Sequence, residues 1–576
     1  MSIKNFTESI NDQILKALAE LNIKDIDIPA LVRPPETIDA EFALPCFPLA
    51  AVLRQSPAKI AASIASKIPG ASWLKKVVAE GPYLNFKIDE PALFQTMISN
   101  ILHKKERYGY RDQECPKTIL VEYSSPNTNK PLHLGHVRNN VLGAAIVNLL
   151  KAAGHTVIPA SILNDRGIHI CKAMVAYRRY AEGQTPSITG IKGDHFVGSM
   201  YVRFEKELKE HPELMDEARE MLRDWENGDP DTLSLWKMLT DWVLEGFEQT
   251  YRRLGSHFDV VQHESRTYLL GKEIIAEGLE KGVFFKKEDN SVWIDLTDVG
   301  LDQKALLRQD GTSLYITQDL GVAIERFKTL NIDKAIYVVG SEQIYHFKAL
   351  FETMKKFGFS WAEQFRHLSY GMVYLPEGKM KSREGKVVDA DELMDQMQKL
   401  SRKIMDESHF QIEPSERDAI AEAIGLGAIK YYILKFNPQK DIHFDPEKSL
   451  SFDGATGAYI QYCHARIHSV LQKACFDPIS EWDASLLGNR EELEIIRSLL
   501  YLPDTIQSAA AELNPSKVAT HILDLAKAFN VFYTHHRILG ADSHALTKAR
   551  LALSASVAYG LRSGLQILGI EAVEEM

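Results

Sequence analysis

The chain has 576 residues, 45% hydrophobic and 25% charged, a globular balance that excludes wholesale disorder, collagen-like sequence and a small disulfide scaffold. That length calls for three or more domains, each burying its own apolar core. Its 67 Lys and Arg against 78 Asp and Glu leave a formal charge of −11, and an acidic total still permits a local basic face for nucleic acid.

From the start, Ile10, Ile14, Leu18 and Leu21 fall at helical spacing and predict an amphipathic first helix. A second helical stretch covers 57–65, and a strand pattern covers 81–88. Residues 1–112 are read as a small N-terminal α+β domain, with Pro116 in the linker that follows. A strand at 118–123, a polar loop at 124–131, a helix at 134–153 stopped by Gly154, and a strand at 156–162 form a β-α-β unit. Such a unit opens a doubly wound, Rossmann-type parallel sheet. Residues from about 174 to 282 are helical and charged, broken at Gly228-Asp229-Pro230, and read as an insertion between the two halves of the sheet. Strand signals return at 292–294, 313–317 and 335–340. The domain built on this sheet is therefore taken as 113–395. Beyond it, spacings such as Phe529, Phe532, Tyr533 and Leu551, Ala555, Ala558 predict a C-terminal α-helical bundle over 396–576.

The five cysteines, Cys46, Cys115, Cys171, Cys463 and Cys475, are odd in number and contain no Cys-x-x-Cys pair. Neither a disulfide framework nor a zinc ribbon is expected, and no metal centre. The first residues lack the apolar core of a signal peptide, and no run of 18 apolar residues occurs. A cytoplasmic protein is expected.

The sharpest chemical signal is Pro131-Leu132-His133-Leu134-Gly135-His136. Two histidines three apart at a helix start can face one side. The helix N-terminus adds free N–H groups and a positive dipole end, both suited to phosphate. Gly135 lets a ligand approach the backbone. The arrangement suits a nucleoside triphosphate attacked at its α-phosphate while pyrophosphate leaves, with the imidazoles donating to growing charge. A pair of surface or capping histidines is the alternative; the strand before and the long helix after favour the triphosphate.

Strand, Ser-Pro-Asn loop, Lys-Pro and His-Leu-Gly-His together resemble the signature of class I aminoacyl-tRNA synthetases. More narrowly, Glu122-Tyr123-Ser124-Ser125-Pro126-Asn127, Lys130-Pro131 and Gly135-His136-Val137-Arg138 resemble the arginyl-tRNA synthetases. The class's second motif, Lys-Met-Ser-Lys-Ser, is matched by Lys379-Met380-Lys381-Ser382-Arg383, with Ser382 at the second lysine position. The resemblance runs from the strand at 81–86 to the C-terminus.

It implies a catalytic set of His133, Gly135, His136, Lys130 and Lys379, with Lys130 standing in for the missing loop lysine. ATP would also meet Pro126, Asn127, Met380, Lys381 and Arg383. An arginine side chain is a planar, permanently charged fork, so its pocket should offer carboxylates and amide oxygens. The resemblance assigns Tyr315, Asp319 and Gln343 to that side chain, Asp319 to the guanidinium, and Glu122, Ser125 and Asn127 to the amino and carboxylate ends. Tyr83 and Asn85 would read a base of the tRNA D-loop. Tyr459, Gln461, Tyr462, His464, Arg466 and His468 interleave aromatic and basic groups, as do Tyr533, His535, His536 and Arg537. Both clusters could meet an anticodon loop, or be ordinary helix packing. The resemblance further implies Mg²⁺ arriving with ATP, no zinc, tRNA(Arg) and L-arginine as partners, activation only with tRNA bound, and a monomer. Three other readings remain open: a different nucleotidyl transferase, a synthetase for another amino acid, and an inactive RNA-binding relative.

Overall fold

The computed structural model describes residues 3–23, 26–35, 37–268, 270–375, 388–407, 413–477 and 481–576. The first helix, Ile3–Glu20, buries Phe6, Ile10, Ile14, Ala17 and Leu18. Pro57–Ala65 begins with Pro57 at its first turn, where a missing N–H costs nothing, and Ser56 accepts from the Lys59 N–H. These helices cover an antiparallel sheet of β1 (Phe42–Pro45), β2 (Leu74–Glu80) and β3 (Tyr83–Ile88), in the order β1-β3-β2.

This N-terminal unit is seated on the C-terminal bundle. Arg497, on the helix Arg490–Glu512, pairs with Asp39 and Glu41, and the Tyr501 hydroxyl donates to the Glu41 carbonyl at 2.7 Å. The Tyr108 hydroxyl donates to the Leu499 carbonyl at 2.7 Å.

The central sheet is wholly parallel, in the order β11-β10-β4-β5-β6. Its strands are β4 (Thr118–Glu122), β5 (Thr156–Leu163), β6 (Val260–His263), β10 (Lys334–Gly340) and β11 (Phe365–Tyr370). The chain winds outward from β4 through β5 and β6, then crosses back to lay β10 on the other side of β4. The carboxyl ends of β4 and β10 thus flank the point where winding reverses, which is where doubly wound sheets leave a crevice.

Several expectations need correction or refinement. The helical insertion closes at Leu254, because β6 pairs with β5 inside the range taken to 282; Val260-Val261-Gln262-His263 is too short a run, and without alternation, to stand out between charged helices. The segment 292–294 is a strand (β8), but in a separate antiparallel sheet with β7 (Phe284–Lys286) and β9 (Lys304–Leu307). The run at 313–317 is not a strand. Only Ser313 makes a bridge, to Leu307, and a helix Tyr315–Leu330 begins two residues later, burying Ile316, Leu320 and Ala323 at helical spacing.

The bundle contains the helices Arg417–Leu434, Gly457–Lys473, Arg490–Glu512, Ser516–His535 and His544–Ile567. A boundary at 395/396 cuts the helix Ala390–Glu407; the break lies at Asp389, whose Oδ1 accepts the N–H groups of Asp391 and Glu392 at 2.9 and 3.0 Å. Among the described residues, no helix is long and apolar enough to cross a membrane.

Candidate active site

The loop leaving β4 is fixed by Ser124, which adopts φ 59°, a costly conformation for a residue with a side chain. Four groups hold it there. Asn139 Oδ1 accepts its N–H at 2.6 Å, and the Ser161 hydroxyl donates to its carbonyl. Its own hydroxyl lies 2.9 Å from that of Tyr251 and accepts from Asn140 Nδ2 at 3.1 Å. Beyond it, Asn164 stitches the loop: its N–H meets the Pro126 carbonyl at 3.0 Å and its amide the Ser125 carbonyl at 3.3 Å. Ser125, Asn127 and Lys130 are left exposed along the rim of the sheet.

His133 then caps the helix Leu134–Ala152. Its Nδ1 accepts the Gly135 N–H at 3.1 Å, while Nδ1 of His136 accepts the His133 N–H at 3.1 Å. The two rings lie 3.8 Å apart. Because each Nδ1 is an acceptor, each proton resides on Nε2, a tautomer inferred from the bonding. Both imidazoles therefore present Nε2–H donors. Gly135 leaves room for this fold-over: a Cβ there would lie 3.0 Å from the His133 ring, which would have to give way by a few tenths of an ångström.

Burial holds His133 down to about 4, aided by the Lys130 ammonium; burial, then His133 and Lys130, hold His136 down to about 3. Both remain neutral donors at physiological pH. Unfolded imidazoles take up protons near pH 6.5. The native state refuses them, so this contribution to stability is present above pH 6.5 and is lost as acid is added toward pH 4 and 3. NMR of the ring protons should show neither histidine titrating between pH 5 and 8; a midpoint near 6.5 would contradict the buried, capping geometry.

Across the reversal point, Asp319 lies on the helix Tyr315–Leu330, its Oδ2 2.6 Å from Nε2 of His346 on the neighbouring helix Ile344–Phe357. The Asp319 side chain is 38% exposed. Tyr315 is 74% exposed, so it is not a packing residue, and Gln343 is exposed immediately after β10. Glu122, the last residue of β4, is buried and ion-paired with the buried Arg326. Arg326 also donates from Nε to Gln262 at 2.7 Å. Burial pushes the Glu122 carboxyl up and the Arg326 guanidinium opposes it.

The sequence reading missed Glu264. It opens the short helix Glu264–Thr267 just past β6, which packs against the helix of Asp319. Buried Asp165 pins its neighbours, meeting Nδ1 of His263 at 2.8 Å and the Ser265 N–H at 2.8 Å. Burial pushes Glu264 up to about 7; Arg166 opposes this, and Asp165 and Asp319 add to it. Its signal in sequence would have been an acid directly after a strand, but that strand was itself missed.

Lys379, Met380, Lys381, Ser382 and Arg383 lie outside the described residues. The flanks of their segment are described. Val373 and Tyr374 (β12) pair with Ile442 and His443 (β13). Arg138, buried in the motif helix, donates to the carbonyls of Met372, Pro438 and Lys440. On the far side, Leu134 N–H meets the Val388 carbonyl at 2.9 Å and Ala390 N–H the Leu132 carbonyl at 2.9 Å. Both flanks therefore meet the motif helix or the turn that begins it.

The RNA-facing assignments divide. Tyr83 is exposed and packs edge-on against exposed Phe47, rings 5.7 Å apart. Asn85 is buried beside Glu80 in the wall of a cleft of about 280 Å³ that Lys75, Lys76 and Lys87 also line. Arg466 lies over the rings of Tyr462 and Tyr533 and donates to Asn530, whose amide donates to the Tyr459 hydroxyl. Gln461 must be withdrawn as a tRNA contact. It is 0% exposed and donates to the carbonyls of Ala423 and Glu571. Interleaving placed it one residue off the surface stripe, on the core face of its helix. His464 is likewise buried, against the Val573 carbonyl.

Three family models match the chain. They are the "Arginyl tRNA synthetase N terminal domain" over residues 8–88, "tRNA synthetases class I (R), catalytic domain" over 97–446, and the "DALR anticodon binding domain" over 460–576. The chain belongs to the arginyl-tRNA synthetase family. The arginine–tRNA ligase of Treponema denticola is 44% identical over 554 residues, 94% of each chain. That of Bacteroides thetaiotaomicron is 44% identical over 573 residues, 95% of each. The solved arginyl-tRNA synthetase of Thermus thermophilus superposes with a TM-score of 0.82 at 27% identity, covering 99% of this chain and 100% of that one.

Proposed function

We infer that the chain is an arginine–tRNA ligase: it activates L-arginine with ATP as arginyl-adenylate, releasing pyrophosphate, and transfers the arginyl group to the terminal adenosine of tRNA(Arg). The observation that carries this reading is the pair of neutral Nε2–H donors on His133 and His136 at the rim of a crevice whose other wall carries Asp319 and Glu264. The imidazoles and the helix N-terminus would grip the triphosphate, with Lys130 beside them. Lys379, Lys381 and Arg383 belong to the same proposal through sequence alone.

Asp319 and Glu264 would take the guanidinium between two carboxylates, with Tyr315 and Gln343 at its flanks. Glu122, Ser125 and Asn127 would orient the amino and carboxylate ends, bringing a carboxylate oxygen in line with the α-phosphate. That oxygen attacks phosphorus as pyrophosphate leaves; the 2′-hydroxyl of the tRNA then attacks the acyl carbon and AMP leaves. Mg²⁺ would come bound to the phosphates of ATP. Tyr83, Asn85, Tyr459 and Arg466 are the proposed tRNA contacts, and the site of action is the cytoplasm.

Presented with total tRNA, ATP and each of the twenty amino acids in turn, the protein should charge tRNA only with arginine. A pocket with two carboxylates leaves them unpaired against any ligand lacking the fork, which discriminates strongly without an editing step. Charging with a different amino acid would overturn the assignment.

A further inference from the structure

A half-buried cluster of charges outside the crevice joins the helical insertion to the start of the helix Ala390–Glu407. Lys192 Nζ lies 2.6 Å from Asp391 Oδ2, 2.6 Å from the Thr250 hydroxyl and 3.2 Å from Asp194 Oδ2. His195 Nε2 is buried and stands 3.3 Å from Asp389 Oδ2 and 3.4 Å from Asp391 Oδ2. Arg253 closes the outer side, 3.9 Å from Asp391 and 2.9 Å from Asp395, with Glu422 3.0 Å away. Asp194, His195 and Asp391 would suit a metal ion by type and spacing, their ligand atoms falling within 4.8 Å of one another. The Lys192 ammonium stands among them and supplies that charge instead.

We propose that Lys192 and His195 are positioning residues for the triphosphate end of the active site: by clamping Asp389 and Asp391 they hold the backbone at Val388–Ala390 against the turn that carries His133. The link is direct. Asp389 forms a backbone bridge with His133, and the hydrogen bonds from Leu134 N–H to Val388 and from Ala390 N–H to Leu132 bracket the backbone of residue 133. The same insertion helix, Gly193–Glu207, also supports the other side of the turn. Gly198 lies three residues after His195, on the same helical face, and a Cβ there would stand 2.7 Å from the Pro131 ring. One helix therefore backs His133 from residue 131 and, through the charge clamp, from residue 389. The nearby carboxylates of Asp389 and Asp391 raise His195 to about 10 against the cost of burial, so the clamp is cationic at physiological pH. The inference rests on the reading of His133 and His136 as triphosphate ligands.

The test is steady-state aminoacylation by the full-length chain, with ATP and arginine varied separately. His195→Ala and Lys192→Ala should each raise the KM for ATP and lower kcat roughly tenfold, a cost on the scale of a sub-ångström misplacement of reacting groups. The KM for arginine should stay within about twofold, because the carboxylates that take the guanidinium lie on elements the clamp does not touch. Lys192→Arg should restore most of the loss. The ¹⁵N shifts of the His133 ring should report the Nε2–H tautomer in the wild type and a mixture in His195→Ala. Should the alanine variants fail to fold, Thr250→Val removes one hydroxyl from Asp391 and should move the KM for ATP in the same direction, by roughly threefold. Equal changes in both KM values, or wild-type kinetics with an unaltered His133 spectrum, would overturn the clamp. A His133→Ala control separates the two layers. If it disturbs ATP kinetics while the Lys192 and His195 variants do not, only the clamp fails; if it leaves ATP kinetics untouched, the triphosphate reading fails and takes the clamp with it.

Discussion

Asp319→Ala is expected to raise the KM for arginine roughly a hundredfold while leaving the KM for ATP near its wild-type value, the scale of losing a charge-assisted hydrogen bond to the guanidinium. One oxygen of Asp319 is held 2.6 Å from His346, which fixes the carboxylate plane and leaves the other oxygen for a ligand. The second acid, Glu264, is pushed up to about 7 and is therefore only about half ionised near neutrality before arginine arrives. Glu122 is already engaged by Arg326. Asp319 thus supplies most of the standing negative charge of the slot. Aminoacylation kinetics decide the matter, and an unchanged KM for arginine would remove Asp319 from the pocket.

His136→Ala should lower kcat by roughly two to three orders of magnitude, the usual cost of deleting one preorganised donor to developing charge, with little change in the KM for arginine. Two losses combine in this variant. The Nε2–H donor disappears, and the His133 N–H loses its acceptor at 3.1 Å, so the helix cap that orients the second imidazole is loosened as well. An unchanged far-UV spectrum would separate this from unfolding. Activity within about threefold of wild type would mean that the His136 imidazole does not stabilise the transition state.

Local pattern carried much of the architecture. The β-α-β unit from Thr118 to Leu163 was legible because an apolar strand, a polar loop and a long apolar helix each announce themselves within a few residues. The histidine pair was legible for the same reason: its chemistry depends on spacing within one helical turn. The first helix was equally readable from Ile10, Ile14 and Leu18, all of which are buried.

What failed was short, or depended on distant partners. The strand β6 spans four residues, and its identity comes from its partners in β5, one hundred positions earlier. Gln461 and Arg466 lie on one amphipathic helix, yet one faces the core and the other the surface, a choice made by the C-terminal tail that supplies the Glu571 carbonyl. Asp319 was assigned to the guanidinium through the family resemblance, but neither its partner His346 nor its neighbour Glu264 was legible.

By itself, then, the sequence determined the kind of chemistry and the order of the elements, since both reside in contiguous residues whose periodicity and turn chemistry act locally. Only the tertiary structure decided which acid is held by His346 with an oxygen to spare and which is already paired by Arg326. Those properties are set by desolvation and by hydrogen bonds between residues scores to hundreds of positions apart, and such pairings exist only once the chain has closed on itself.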